Sequence, residues 1–205
     1  MQKKNLNIKK ILIVDLDETL ILSDLLHETF WSSFSINYKI SFKSIIWLLN
    51  GKAYLKKKLS IYSDISVENL TYNKTVIDYI KQHRIKGGYV ALVTGSNQLI
   101  AEKIAKHLNL FDEVKGSSEK INLTGKTKAK FLNSRFGYKN YDYIGDSFHD
   151  LHVWKNANKA ITINTNPIIK RACEKINTNY FHLKTNLHQN SFLEYIKMIR
   201  RNFKI

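Results

Sequence analysis

The sequence predicts an α/β protein: a parallel sheet with helices on both faces and a small helical cap inserted after the first strand. Three observations carry that expectation. Short apolar runs recur at Lys10–Val14, Gly88–Val93, Glu113–Val114 with its neighbours, Tyr141–Ile144 and Ala160–Ile163, and continuous apolar strands are those buried on both faces. Helical patterns separate most of them. Asn97–Leu108 puts Leu99, Ile100, Ile104 and Leu108 on one stripe, and Lys126–Phe136 and Phe148–Ala157 also read as helices. Finally, the first crossover holds far more chain than one helix needs, and its segments SDLLHETFWSSF, FKSIIWLLNGKAYLKKKL and TVIDYIKQHRIK are helical in pattern. The expected division is a core of residues 1–22 and 87–190, a cap of residues 23–86, and a basic amphipathic helix over 191–205. Right-handed crossovers bring all strand C-termini to one edge, where such sheets bind ligands.

Composition narrows the setting. With 205 residues, the chain suits one domain carrying an insertion or two small domains. The formal net charge of +16 favours anionic partners: phosphorylated substrates, nucleic acid or acidic lipid. Abundant Lys, Asn and Ile with scarce Arg are also what an AT-rich coding sequence produces, so the charge alone selects no partner. No zinc-finger spacing or aromatic RNA-binding signature is present, and no nucleic-acid partner is expected. No apolar run approaches the roughly 18–20 residues that span a bilayer. The amino terminus, MQKKNLNIKK, lacks the apolar stretch of a secretory signal. A single cysteine, Cys173, cannot form an internal disulfide and fits a reducing compartment. The expected location is the cytoplasm, or the cytoplasmic face of a membrane.

Chemistry concentrates at the strand ends. In ILIVDLDETL the first strand runs into Asp15, and Asp17 follows two residues later. A buried carboxylate is costly unless something pairs with it. Thr94, Gly95 and Ser96 follow the second strand in ALVTGSN, Lys128 lies in GKTKAKFL, and Asp146 and Asp150 follow the fourth strand in YIGDSFHD. Acids converging at one edge repel unless a cation lies between them, and carboxylates suit magnesium, a hard ion that takes few protein ligands. A lysine, a hydroxyl and amides at a helix start suit phosphate oxygens. Together these supply what phosphoryl transfer needs, positioning and charge neutralisation. Lys126 competes with Lys128 for the lysine role; Lys128 is favoured because Leu132, four residues on, would pack the same helix face inward.

DLDETL, VTGS, a lysine and GDSxxD, in that order, resemble the haloacid dehalogenase superfamily of hydrolases. The resemblance implies a Rossmann-like core with a helical cap after the first motif. DLDETLILSDLLHETF, GKAYLKKKL, LFDEV, GKTKAKFL and YIGDSFHDLHVW further resemble the hydrolase domain fused ahead of UbiA-family prenyltransferases in some bacteria. Carried onto this chain, the resemblance makes Asp15 the nucleophile that forms an aspartyl-phosphate. It makes Asp17 the acid that protonates the leaving oxygen and then the base that activates water. Thr94, the Gly95 amide and Lys128 would hold the phosphoryl group. Mg2+ would sit on the Asp15 and Asp146 side chains and the Asp17 carbonyl, with Asp150 bracing that shell. Glu18 stands where many members have glycine. Relatives that cleave carbon–halogen or carbon–phosphorus bonds lack the second acid, so Asp17 argues for phosphate ester hydrolysis. The expected protein is a Mg2+-dependent phosphatase acting on a small phosphorylated metabolite, since the cap would close over the site and exclude large substrates. The fused relatives suggest a prenyl-phospho-sugar or similar lipid-pathway phosphate. A phosphomutase, and a non-catalytic or regulatory partner of a separate membrane prenyltransferase, are the alternatives.

Other residues carry less specific signals. Asp24 either caps the helix beginning at Leu25 or faces a substrate. Lys56–Lys58 with Tyr54 read as a solvated face or as a grip on an anionic substrate. Trp31, Phe42 and Trp47 read as cap core rather than a lipid groove, His149 and His152 as surface or packing residues, and Cys173 as a buried apolar group. In SFLEYIKMIRRNFKI, Phe192, Tyr195, Ile196 and Ile199 share a face that would pack on the core or lie on acidic lipid as a peripheral membrane contact.

Overall fold

The computed structural model describes residues 10–185 and 191–203, with the side chains of Ser191 and Phe192 left out. The expectation for the amino terminus therefore falls outside the described residues, as does the part of the C-terminal pattern that rests on Phe192.

Six parallel strands form one sheet in the order β3-β2-β1-β4-β5-β6. They are β1 (Ile11–Val14), β2 (Tyr89–Asn97), β3 (Glu113–Ser117), β4 (Asp142–Gly145), β5 (Lys159–Thr162) and β6 (Tyr180–His182). Five correspond to the apolar runs. The sixth has three residues, none of them fully buried, so no apolar run announces it. Alternate residues of each strand feed opposite faces. Leu12, Val14, Val90, Leu92, Ile144 and Ile161 join one cluster, while Ile13, Ala91, Val93, Tyr143 and Ala160 join the other. Helices α4 (Lys74–Ile85) and α5 (Gln98–Leu108) cover the first face through Val76, Ile80, Ile100 and Ile104. Helices α6 (Gly125–Phe136), α7 (Leu151–Trp154) and α8 (Pro167–Ile176) cover the second through Leu132, Trp154 and Cys173. This is the doubly wound α/β architecture, in which the chain reverses its course across the sheet between β1 and β4.

The insertion begins with α1 (Leu25–Ile36), α2 (Lys39–Leu49) and α3 (Lys52–Tyr62), which enclose a small core of Ile40, Leu55 and Leu59 with Leu26, Phe30 and Trp47. Its neck is a short antiparallel pairing of Ile21 with Tyr72, extended by Leu22 N to Thr71 O (2.9 Å) and Asn73 N to Leu20 O (2.8 Å). Helix α4 lies within residues 23–86, the span assigned above to the cap, yet its buried Val76 and Ile80 belong to the sheet cluster. The neck therefore divides the insertion from the crossover helix at residues 20–22 and 71–73. Phe42 departs from the cap-core reading. It is 69 % exposed, because it lies opposite the buried Ile40 and Ser44 on α2.

The last described helix, α9 (Ser191–Phe203), packs on α1 of the cap. Trp31 Nε1 donates to Tyr195 Oη (3.2 Å), and Phe203 meets Trp31 and Phe34. Met198 is buried at this seam. Glu28 is buried there too, with Ser23 Oγ donating to it at 2.5 Å and the Arg201 guanidinium forming an ion pair with it. A buried pair broken on one side leaves an uncompensated charge. Arg201→Met is thus expected to destabilise the protein by about 3 kcal/mol, read as a lowered melting temperature. Arg200→Met, on an exposed neighbour, is expected to change it little.

Candidate active site

Sheet topology explains why the acids meet. β1 and β4 are neighbours, with Val14 opposite Ile144, and Asp15 N donates to Ile144 O at 3.0 Å. Asp15 at the end of β1 and Asp146 just after β4 are thereby side by side. Carboxylate oxygens of Asp15, Asp146 and Asp150 all lie within 4.8 Å of one another.

One lysine answers these acids. Lys128, 3 % exposed on the first turns of α6, places Nζ 2.8 Å from Asp15 Oδ1 and 3.9 Å from Asp150 Oδ1. Lys126 is exposed on the same helix, so Lys128 is the lysine at the site. Lys128 Nζ also donates to Tyr143 Oη (2.9 Å), which donates to Asp150 Oδ1 (2.6 Å). Tyr143 was not singled out from the sequence. Its position in YDYIGD, alternating with residues that face the other side of β4, is the signal that could have found it. Asp150 Oδ2 accepts from Asp146 N, Ser147 N and Ser147 Oγ at 3.0–3.1 Å, bracing the loop that carries Asp146. A Cβ at Gly145 would lie 2.6 Å from that oxygen, so only glycine fits there.

Residues Leu16–Leu20 form one wide turn closed by Ile21 N to Leu16 O at 3.0 Å. Within it Glu18 has φ +54°, the left-handed region that favours glycine. Asn164 Nδ2 holds the Glu18 carbonyl at 2.8 Å and so supports that conformation. The turn aims Thr19 Oγ1 at Asp146 Oδ1 (3.0 Å), while Asp17 is not one of the converging acids. Asp17 Oδ2 accepts from Ser96 Oγ (2.5 Å), and Oδ1 accepts from Leu25 N (2.8 Å), the first residue of cap helix α1. Asp24 caps the same helix by accepting from Leu26 N (2.7 Å) and also lines the cavity beside Asp146. The capping reading is thus observed, and the side chain borders a cavity at the same time.

Thr94, Gly95 and Ser96 lie at the end of β2, where Ser96 reaches Asp17. They belong to the last turns of β2 rather than to a loop beyond it, and Asn97 is the residue that caps α5. Thr94 is fully buried, its Oγ1 accepting from Ser96 N at 2.9 Å. Gly95 O accepts from Ser117 Oγ (2.8 Å) and from Lys56 Nζ (2.7 Å). A Cβ on Gly95 would approach Thr124 Cγ2 to 2.4 Å. The basic run on α3 therefore splits. Lys56 turns into the site, Lys57 pairs with Glu119, and Lys58 stacks over the Tyr54 ring. His149 and His152 are exposed, as expected.

The electrostatics follow from burial. Desolvation pushes the Asp15 carboxyl up to about 6, against the pull of Lys128, and the Asp150 charge pushes the same way. Asp146 is held well above the ordinary carboxylate range by burial and by Asp150 and Asp15. Asp17 is raised by burial and by Asp24, with Lys56 opposing. Burial pulls Lys128 down, but Asp15 and Asp150 outweigh it and leave the ammonium above the ordinary lysine value. Crowded carboxylates that resist ionising, with hard oxygen donors converging, are a donor set that fits a divalent cation. Beside the trio, a cavity of about 420 Å³ is lined by Glu18, Asp24, His27, Asp146, Lys170 and His182, and α9 contributes Tyr195 and Met198 to its wall.

A doubly wound sheet with acids, a lysine and buried hydroxyls at its carboxyl edge is the arrangement in which such folds bind ligands. The chain belongs to the haloacid dehalogenase-like hydrolase family, whose sequence profile matches residues 51–155. It is 36 % identical over 152 residues to the uncharacterized protein y4nM of Sinorhizobium fredii (strain NBRC 101917 / NGR234). That match covers 74 % of this chain and 29 % of the relative, so the chain spans under a third of that protein's length. Among solved structures, the phospho-aspartyl intermediate analogue of a phosphoserine phosphatase superimposes with a TM-score of 0.60 at 19 % identity, covering 92 % of this chain and 99 % of that one. A protein of unknown function from Bordetella pertussis Tohama I gives 0.63 at 13 % identity, covering 86 % and 99 %. These likenesses show a shared fold. Among the described residues, no helix is long and apolar enough to cross a membrane.

Proposed function

We propose that the protein is a Mg2+-dependent phosphatase that hydrolyses a small phosphorylated metabolite through an aspartyl-phosphate at Asp15. The observation that carries the reading is Lys128 Nζ, 2.8 Å from Asp15 Oδ1 inside an acidic trio. A buried carboxylate beside a fixed cation is a nucleophile placed where an anionic phosphoryl group is stabilised. Structural likeness to a protein captured as a phospho-aspartyl analogue supports it.

In this reading an Asp15 oxygen attacks phosphorus and the ester P–O bond breaks. Asp17 gives its proton to the leaving oxygen, a role suited to a carboxyl whose burial favours the protonated form. Asp17, now ionised, takes a proton from water. The water oxygen attacks phosphorus, the bond to Asp15 breaks, and phosphate leaves. Lys128, Thr94 and the Gly95 amide hold the phosphoryl oxygens. Asp15, Asp146 and the Asp17 carbonyl would hold the cation, with Asp150 bracing them; when bound, the cation neutralises the phosphoryl charge. Because Asp17 Oδ1 is tied to Leu25 N, the acid is oriented by the first turn of the cap. The 420 Å³ cavity suits a small substrate. The lipid-pathway reading, a prenyl-phospho-sugar or related phosphate, is the sharpest form of this proposal and rests on the resemblance to fused hydrolase domains.

Aryl phosphate hydrolysis by the purified protein tests the reaction class. Turnover is expected with Mg2+ and not after chelation. Asp17→Asn is expected to lower kcat by about a hundred- to ten-thousandfold. Metal-independent turnover, or an Asp17→Asn variant as fast as the parent, would overturn the assignment.

A further inference from the structure

Helix α2 is apolar on two sides. One side packs Ile40 and Trp47 into the cap's own core. The other presents Phe42, Ile45, Ile46 and Leu49, spaced i, i+3, i+4 and i+7, and these are 69, 63, 61 and 84 % exposed. Single exposed apolar residues are ordinary, but a contiguous stripe of large ones marks an interaction surface. A helix face opposite its core is normally polar.

The charge around the stripe has one sign. Thr29–Ser63 contains six lysines and no Asp or Glu. Three of the six are engaged: Lys56 at Gly95 O, Lys57 with Glu119 and Lys58 over Tyr54. The other three, Lys39, Lys43 and Lys52, are exposed on and beside α2. A second copy of the chain, packed isologously on this face, would bring lysines against lysines. Residues 1–9 and 186–190 contain no acid either, so neither segment offers the complementary charge. An apolar stripe whose own segment carries exposed lysines and no acid matches a bilayer surface rich in anionic headgroups.

We infer that this face of the cap docks on an anionic lipid bilayer. Phe42, Ile45, Ile46 and Leu49 enter the boundary between headgroups and acyl chains, and Lys39, Lys43 and Lys52 meet the headgroup phosphates. The inference stands apart from the reaction at Asp15 and is carried by α2, not by the C-terminal helix. Docking would hold the cap, and with it the active site beneath, close to the lipid surface.

Vesicle flotation of the full 205-residue chain tests it, using phosphatidylcholine with and without one third phosphatidylglycerol. Binding is expected on the anionic vesicles and at most weakly on phosphatidylcholine alone. The double variant Phe42→Ser/Ile46→Ser is expected to lower partitioning at least about tenfold. Its melting temperature should stay unchanged, because both side chains already face solvent. Replacing Lys39, Lys43 and Lys52 by Gln is expected to lower binding about fivefold per lysine. Absent binding, equal binding to both vesicles, or anionic binding unaffected by the serine variant would overturn the inference. A concentration-dependent dimer that the serine variant abolishes would also overturn it, assigning the stripe to a second copy.

Discussion

Asp15→Asn is expected to lower turnover of a phosphate ester by at least about ten-thousandfold, the scale seen when a covalent nucleophile is removed. The amide is close in size to the carboxylate but is a poor nucleophile. Folding should survive, because Asp15 is already a strained carboxylate. Burial and Asp150 push its pKa up to about 6, so a neutral isostere removes a disfavoured charge. Lys128 keeps Asp150 at 3.9 Å as a counter-charge. The expected pattern is lost activity with a retained melting temperature. Trapping of beryllium fluoride with Mg2+ by the parent and not by the variant would place the phosphoryl group at Asp15. An active Asp15→Asn variant would end the aspartyl-phosphate reading.

Lys128→Met should have the largest combined effect on stability and rate. The lysine is 3 % exposed and is the cation in contact with Asp15, Asp150 and Tyr143. Its loss leaves Asp15, Asp146 and Asp150 within 4.8 Å of one another without the ammonium that pairs with Asp15 and Asp150. One-sided removal of a buried pair costs on the order of 3–5 kcal/mol, about 10 °C of melting temperature for a chain of this size. A divalent cation should restore part of that stability by occupying the same acids. Rate is expected to fall about a hundred- to thousandfold, as when one preorganised donor to a transition state is deleted. Lys126→Met, on the exposed side of α6, is the control and should leave both quantities unchanged. If Lys128→Met melted and turned over like the control, the network described here would be incorrect.

Much of the site was legible because its chemistry is local. Carboxylates at the end of an apolar run are recognisable from the run itself. From the order DLDETL, VTGS, lysine, GDSxxD, the fold gathers Asp15, Lys128, Asp146 and Asp150, and sets Ser96 on Asp17. The choice of Lys128 over Lys126 followed from Leu132 one turn away, and Leu132 is indeed buried on the sheet side of α6. Less was legible where a role depends on a partner distant in sequence. Thr19 reaches Asp146, and Tyr143 bridges Lys128 and Asp150, through contacts that exist only after β1 and β4 pair. Asn164 supports the left-handed Glu18 from 146 residues away. Nothing in a lone asparagine announces that task.

The insertion was the least legible part, since a helix period says that a segment is amphipathic but not which body it covers. Helix α4 has the same pattern as its cap neighbours, yet its apolar stripe closes the sheet. Phe42 and Ile40 are both apolar on α2, but only Ile40 finds a partner surface. The run Lys56–Lys58 was one basic patch in sequence and three separate contacts in space.

By itself, then, the sequence determined the strand-and-helix alternation, the inserted cap and the acids, glycine and lysine at the sheet edge, because periodicity and strand-end chemistry are properties of neighbouring residues. Tertiary structure alone decided where the cap's neck lies, which hydroxyls brace the acids, that α9 seals onto α1, and which face of α2 is left to solvent. Those outcomes depend on which distant surfaces meet, and burial and hydrogen bonding are settled only when they do.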